Sequence, residues 1–226
     1  MISSPDVYPD LAGLRIYPSY FNRAAQTELL DAIYNVLAAA PLFTPRMPKS
    51  GRPFSVRMSN CGSLGWTSDE EGYRYRPTHP ATGRPWPPMR EPLIALWRNV
   101  AQYTDLPEAC LINFYDRTAK MGLHQDRDEA DFDAPVVSIS LGDDCLFRIG
   151  GRQRRNLTKS VRLSSGDVLV LGGDARLAFH GVDRIYPGTS SLLADGGRIN
   201  LTLRRVTRKF ANSISAGAEA KARHHA

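Results

Sequence analysis

Apolar positions along the chain follow two regimes. Before about Tyr103 two stretches show helical spacing, and from Cys110 onward apolar positions alternate or run in short blocks. Between Phe21 and Ala40, Leu29, Leu30, Ile33, Val36 and Leu37 fall on one helical face. That spacing predicts a helix capped by Asn22 and stopped by Pro41. A second helix is predicted over Glu91–Tyr103, with Leu93, Leu96, Trp97 and Val100 turned inward. The stretch 41–90 between them is rich in proline, glycine and serine and carries Trp66, Tyr73, Tyr75 and Trp86. Such a segment reads as hairpins and loops bearing exposed aromatics. Residues 1–20 read as an extended N-terminal arm.

After Cys110 the pattern is that of strands. The candidates are Cys110–Tyr115, Pro135–Leu141, Cys145–Ile149, Asp167–Leu171, Arg176–His180 and Arg198–Arg205. Short strands separated by Gly, Asp and Asn, with two helices before them, place the chain in the α+β class. The expected core is a double-stranded β-helix (jelly roll) with the N-terminal helices packed on one face. One domain over 21–206 is expected, followed by a basic, frayed tail over 207–226 that holds His224 and His225.

Composition narrows the class without fixing it. The 226 residues carry 29 Lys and Arg against 23 Asp and Glu, a formal charge of +6 that suits a polyanionic partner. Cys61, Cys110 and Cys145 are far apart and lack a C-x-x-C spacing, so neither a disulfide framework nor a zinc knuckle is expected. The chain does not start with a charged segment and an apolar run, and it has no apolar stretch long enough to span a membrane. A cytoplasmic monomer is therefore expected.

The candidate chemistry begins at Leu123-His124-Gln125-Asp126. On a strand, residues two apart point the same way, so His124 and Asp126 would aim an imidazole and a carboxylate at one point. Outside the tail, the remaining histidines are His79, in the proline-rich segment, and His180, at the end of an apolar stretch. Two histidines and a carboxylate on one side of a metal form the facial arrangement of non-haem Fe(II) oxygenases. By itself H-x-D describes any His and Asp at a strand end. The last strand adds a second signal. Arg198, Asn200, Thr202 and Arg204 alternate with Ile199, Leu201 and Leu203, so two guanidinium groups flank an amide on one face. Arginine grips carboxylates through a planar fork, which suits a small dianion. Six basic residues between Arg148 and Arg162 (Arg148, Arg152, Arg154, Arg155, Lys159 and Arg162) read as a phosphate track or as a solvated hairpin.

Taken together, His124-Gln125-Asp126, His180 and Arg198-Ile199-Asn200-Leu201-Thr202-Leu203-Arg204 resemble the AlkB family, the 2-oxoglutarate-dependent demethylases of alkylated nucleobases. The resemblance extends to Asn113-Phe114-Tyr115, Asp128-Glu129, the block from Met58 to Trp66, and Gly72-Tyr73-Arg74-Tyr75, and it covers roughly residues 11 to 206. It implies Fe(II) held by His124, Asp126 and His180, with 2-oxoglutarate and O2 as co-substrates. Arg204 then pairs with the carboxylate next to the keto group, and Arg198 with the far one, assisted by Tyr115. Asn113 and Asn200 hydrogen-bond the co-substrate. The resemblance also implies a nucleotide-recognition lid within 41–90. In it Trp66 stacks on a flipped base opposite His124, while Tyr73 and Tyr75 lie near the substrate phosphates. Asp128 would meet the exocyclic amine, and Arg154 would act as a lid arginine. The implied activity is removal of the methyl group from 1-methyladenine and 3-methylcytosine in DNA, and in RNA as a further substrate. Formaldehyde would be released, and 2-oxoglutarate decarboxylated to succinate and CO2. The stretch Arg152 to Ser160 departs from the family pattern, as does Ser63. Two rival readings are an oxygenase acting on a small molecule or protein, and a nucleic-acid-binding module without catalysis.

Overall fold

The computed structural model describes residues 5–7 and 11–208. Strands β1 (Asp6–Val7) and β2 (Leu14–Tyr17) precede helix α1 (Arg23–Ala39). Then come β3 (Arg57–Gly62), β4 (Gly65–Asp69), β5 (Gly72–Arg76) and helix α2 (Glu91–Val100). The remaining strands are β6 (Ala109–Tyr115), β7 (Met121–His124), β8 (Val136–Gly142), β9 (Asp144–Ile149), β10 (Lys159–Leu163), β11 (Val168–Leu171), β12 (His180–Tyr186) and β13 (Arg198–Arg204).

Helix α1 starts where its sequence predicts, because the Asn22 side chain accepts from the Ala25 amide at 3.0 Å and satisfies an N–H the helix cannot pair. Leu29, Leu30, Ile33 and Val36 of α1 and Leu93, Leu96, Trp97 and Val100 of α2 are all buried. Both helices cover one face of a seven-stranded sheet, whose strand order is β1-β2-β11-β8-β13-β6-β3. A four-stranded sheet, β10-β9-β12-β7, packs on the other face, and β4 and β5 form a separate hairpin. The expected α+β class with a jelly-roll core and helices on one face is thus the architecture observed.

The alternation along β13 is resolved by this layering. Ile199, Leu201 and Leu203 face the helices in the first core, together with Val137, Ile139 and Leu141 of β8 and Cys110 and Ile112 of β6. The even-numbered residues of β13 face the space between the sheets. Strand β13 is no exposed edge: it is hydrogen-bonded to β6 on one side and β8 on the other.

Two sequence expectations change. Within the stretch expected as an extended arm, Leu14–Tyr17 is part of the fold: it pairs antiparallel with β11 and buries Leu14 and Ile16 in the inter-sheet core. The strand expected over Arg176–His180 is instead a 3-10 turn over Gly173–Leu177, and His180 opens β12 rather than ending a strand. The turn closes because Ala175 N–H reaches the Gly172 carbonyl at 3.0 Å, with Gly173 at a positive φ of 50°. The cysteines are free thiols, in line with the expectation of no disulfide framework, although Cys61 and Cys110, 49 positions apart, lie directly opposite each other on β3 and β6. The tail with His224 and His225 lies outside the described residues. Among the described residues, no helix is long and apolar enough to cross a membrane.

Candidate active site

Strand β7 ends at His124, which pairs directly with His180 at the start of β12. A side chain at Gly181 would sit 2.5 Å from the Met121 carbonyl, so this glycine lets β12 close onto β7 beside His180. The two imidazole centroids are 4.5 Å apart. Asp126 lies beyond the end of β7, so strand alternation is not what brings it to His124. Arg204 places it, donating from Nη2 to Asp126 Oδ1 at 2.9 Å and from Nε to Oδ2 at 3.2 Å. Ligand atoms of His124, Asp126 and His180 all lie within 4.8 Å of one another.

The donor set fits a divalent metal. His124 Nδ1 lies 2.9 Å from the Gly122 carbonyl and His180 Nδ1 2.9 Å from the Ala178 carbonyl. A carbonyl only accepts, so each Nδ1 carries the proton and each Nε2 turns its lone pair toward Asp126. Burial, and next to it His124, holds the His180 imidazole down at about 4, keeping it in the neutral form that binds metals. Burial alone would raise the Asp126 carboxyl, but Arg204, then His180 and His124, hold it well below the usual carboxylate range. The third histidine among the described residues, His79, is used structurally. Its Nε2 meets the Pro41 carbonyl at 2.8 Å, and its Nδ1 accepts from the Ala81 and Thr82 amides.

A cavity of about 480 Å³ runs inward from these ligands between the two sheets. Its inner wall carries Asn113, Tyr115, Arg198, Asn200 and Arg204. The register explains their convergence, because Arg198 pairs with Tyr115, and Asn200 with Asn113, across β13 and β6. Arg198 is almost fully buried. Its Nη1 donates to the Asp143 carbonyl at 3.1 Å and its Nη2 to Ser140 Oγ at 2.6 Å, while its Nε finds no acceptor in the protein. Asn113 Oδ1 is likewise buried without a donor. Orphaned buried polar atoms are costly, so a donor edge and an acceptor left over in one cavity fit a small polar co-substrate.

At the mouth of the cavity stand Trp66, Tyr73, Asp128 and Arg154. Trp66 Nε1 donates to Asp128 Oδ2 at 2.8 Å, and Tyr73 stacks on the indole at 5.5 Å and 21°. Asn60 fixes the Trp66 backbone, accepting from its N–H and donating to its carbonyl, both at 3.0 Å. Arg154 donates to the Leu123 carbonyl at 2.9 Å and lies over the Phe179 ring.

Tyr75 is the exception among the sequence-derived residues. It does not line the cavity; its hydroxyl donates to the buried Glu129. Burial raises the Tyr75 phenol well above its ordinary value, so it remains a donor. The basic track also thins on folding, because Arg148 pairs with Asp183 at 3.3 Å and Arg162 with Asp144 at 2.7 Å. Sequence reasoning missed Arg176, which is buried beneath the site. It donates to the Ala134 carbonyl, to the Asp126 carbonyl at 2.6 Å and to Glu129 Oε2 at 3.1 Å. Its signal was an arginine in an otherwise apolar stretch.

Comparison with known proteins bears on this geometry. Residues 13–204 match the family model of the 2OG-Fe(II) oxygenase superfamily. The chain is 54% identical over 193 residues to an alpha-ketoglutarate-dependent dioxygenase AlkB homolog of Caulobacter vibrioides, covering 85% of this chain and 87% of that one. It is 42% identical over 193 residues to the alpha-ketoglutarate-dependent dioxygenase AlkB of Escherichia coli K12, covering 84% and 88% respectively. Among solved structures, that of OsALKBH1 superposes with a TM-score of 0.73 at 29% identity, covering 89% of this chain and 99% of that one.

Proposed function

We propose, from the premise that this chain belongs to the AlkB family of the 2OG-Fe(II) oxygenase superfamily, that it is an oxidative demethylase of N-alkylated bases in nucleic acid. As a member it is a dioxygenase that uses Fe(II), 2-oxoglutarate and O2. The proposed substrates are 1-methyladenine and 3-methylcytosine in DNA, with RNA carrying the same lesions as a further substrate. The products are the repaired base, formaldehyde, succinate and CO2. One observation carries the reading: a metal-type triad, a buried arginine pair and a stacking tryptophan all open onto one cavity.

His124, Asp126 and His180 would hold the iron. When bound, the metal supplies the oxidation of the N-methyl group, which no side chain of the chain can perform. The protein's own part is to bind and orient. Arg204 and Arg198 would neutralise the two carboxylates of 2-oxoglutarate. Nη1 of Arg198 is committed to backbone carbonyls, leaving Nε–H and the remaining Nη2 hydrogen as a side-on fork for one carboxylate. Asn113 and Asn200 would complete the polar lining. Trp66, backed by Tyr73 and fixed by Asn60, would stack on the extruded base, and Asp128 beside it favours a base made cationic by N-alkylation. Such lesions block pairing and therefore cost less to flip out. Arg154 supplies positive charge at the mouth for the backbone phosphates.

The test is direct. Incubate the folded protein with Fe(II), 2-oxoglutarate, ascorbate and an oligonucleotide bearing 1-methyladenine, then follow formaldehyde and the mass of the base. Turnover is expected. Succinate formation that leaves the lesion untouched would shift the reading to an oxygenase of another substrate.

A further inference from the structure

The hairpin β4–β5 docks on the acidic loop after β7 through one cross-strand pair. Trp66 and Tyr75 are register partners and share a face of the hairpin. Trp66 donates to Asp128 and Tyr75 to Glu129, so two neighbouring residues of the hairpin grip two consecutive carboxylates. Asp128 faces the cavity mouth, whereas Glu129 turns inward and is buried. The same Glu129 oxygen that accepts from Tyr75 lies 3.5 Å from Arg204 Nε, and its other oxygen accepts from Arg176. Arg204 and Arg176 each hold Asp126, the first by its carboxylate and the second by its carbonyl. Two acids and two guanidiniums thus close a buried, charge-balanced ring, and the Tyr75 hydroxyl is the neutral side chain that joins the hairpin to it.

We infer that Tyr75 and Glu129 are positioning residues that couple the hairpin to Arg204, so that nucleic acid bound against Trp66 and 2-oxoglutarate bound at Arg204 strengthen each other. The Tyr75 hydroxyl satisfies part of the charge on Glu129 Oε1. Without it, Glu129 has only guanidinium donors for that charge and draws Arg204 away from Asp126. This inference rests on the functional reading above, in which Arg204 holds the co-substrate and Trp66 the base. It departs from the role the sequence resemblance implies for Tyr75, which becomes an internal strut and not a phosphate contact. Coupling between sites is reciprocal: whatever factor one ligand adds to the other's affinity is returned.

The test measures binding without turnover. The Mn(II)-loaded full chain is titrated with 2-oxoglutarate by calorimetry, with and without a single-stranded oligonucleotide bearing 1-methyladenine. In the parent each ligand is expected to tighten the other by about fivefold or more, the lower end of typical coupling. Tyr75→Phe keeps the ring and Glu129→Gln keeps an acceptor for the phenol. Both are expected to bring the coupling factor toward one and to weaken 2-oxoglutarate even when no oligonucleotide is present. Thermal melts establish that each variant is folded. If Tyr75→Phe weakens the oligonucleotide equally with and without 2-oxoglutarate and leaves 2-oxoglutarate binding alone, Tyr75 is a phosphate contact and the inference is overturned. A lower melting temperature with unchanged coupling overturns it too, as a purely structural role. Parent protein that binds no 2-oxoglutarate at all removes the functional reading along with the inference.

Discussion

Replacing Arg198 by lysine keeps the charge and removes the fork, which isolates what the guanidinium geometry contributes. Arg198 is among the largest fully buried side chains, and it spends Nη1 on the Asp143 and Leu163 carbonyls and part of Nη2 on Ser140 Oγ. The edge formed by Nε and the second Nη2 hydrogen is left for a ligand. A hydrogen bond to a charged group contributes about 1.5–3 kcal/mol, and Arg198→Lys surrenders at least one. At about 1.4 kcal/mol per tenfold, the dissociation constant of 2-oxoglutarate should rise by about 10- to 100-fold. The lysine ammonium keeps three donors, so of the two carbonyls and the hydroxyl that Arg198 serves about one is left unsatisfied, at a cost of about 1–3 kcal/mol. For a chain of this length each kcal/mol lowers Tm by about 2–4 °C, so the variant should remain folded at 25 °C. Calorimetric titration of the Mn(II)-loaded protein reads the affinity, and a melt reads the fold. A folded variant whose 2-oxoglutarate affinity stays within twofold of the parent would refute the assignment of Arg198 to a carboxylate.

Three further outcomes are expected. Asp126→Ala should abolish both Mn(II) binding and turnover, and by leaving the buried Arg204 and Arg176 to share the one charge of Glu129 should cost about 3–5 kcal/mol in a urea melt; retained turnover would sink the metal assignment. Trp66→Ala should weaken binding of a lesion-bearing oligonucleotide by about 1–3 kcal/mol while leaving 2-oxoglutarate affinity unchanged when no oligonucleotide is present, and an unaffected oligonucleotide would show that no base stacks there. The metal-free protein should lose stability in mild acid through His180, whose imidazole is held at about 4 in the folded chain. Above pH ~6.5 that imidazole is neutral in both states and its contribution is fully present. As pH falls from ~6.5 toward 4, the unfolded chain takes up a proton the folded chain refuses, which costs about 3 kcal/mol across the window. The part due to this residue is the difference from His180→Asn, measured by denaturant melts in chelator, and two parallel pH profiles would contradict it.

Both helices could be read from the sequence because their periodic residues bury against one sheet face, so a local pattern reports a tertiary fact. Strand β13 could be read for the same reason, since its alternation separates a core face from a cavity face. Leu14–Tyr17 could not: four residues give too little pattern, and their strand character comes from β11, more than 150 positions away. His180 was legible as a candidate ligand but not as the start of β12, because Leu177, Ala178 and Phe179 read as a strand while the glycines before them close a turn. Glu129 shows in the sequence only as the second residue of Asp128-Glu129, and Arg176 only as an arginine in an apolar stretch; neither pattern says what the side chain pairs with. Each is polar and buried, and each is satisfied by partners about fifty positions away that only the fold brings near. Tyr75 was singled out for its place in a motif, yet its partner is an interior carboxylate, which no local pattern specifies.

The place of β13 in the large sheet has a consequence for synthesis. It is the last strand of the described chain, yet it lies between β6 and β8 and carries Arg198, Asn200 and Arg204. A nascent chain that has emerged only as far as Gly197 has two sheet edges with nothing between them, a template for wrong pairing. It also has both histidines and Asp126 but neither arginine that would hold the co-substrate. The sheet and the proposed co-substrate site are therefore completed by the same event, insertion of one late strand, and on the proposed assignment an unfinished chain has the metal triad without the arginines that would engage 2-oxoglutarate.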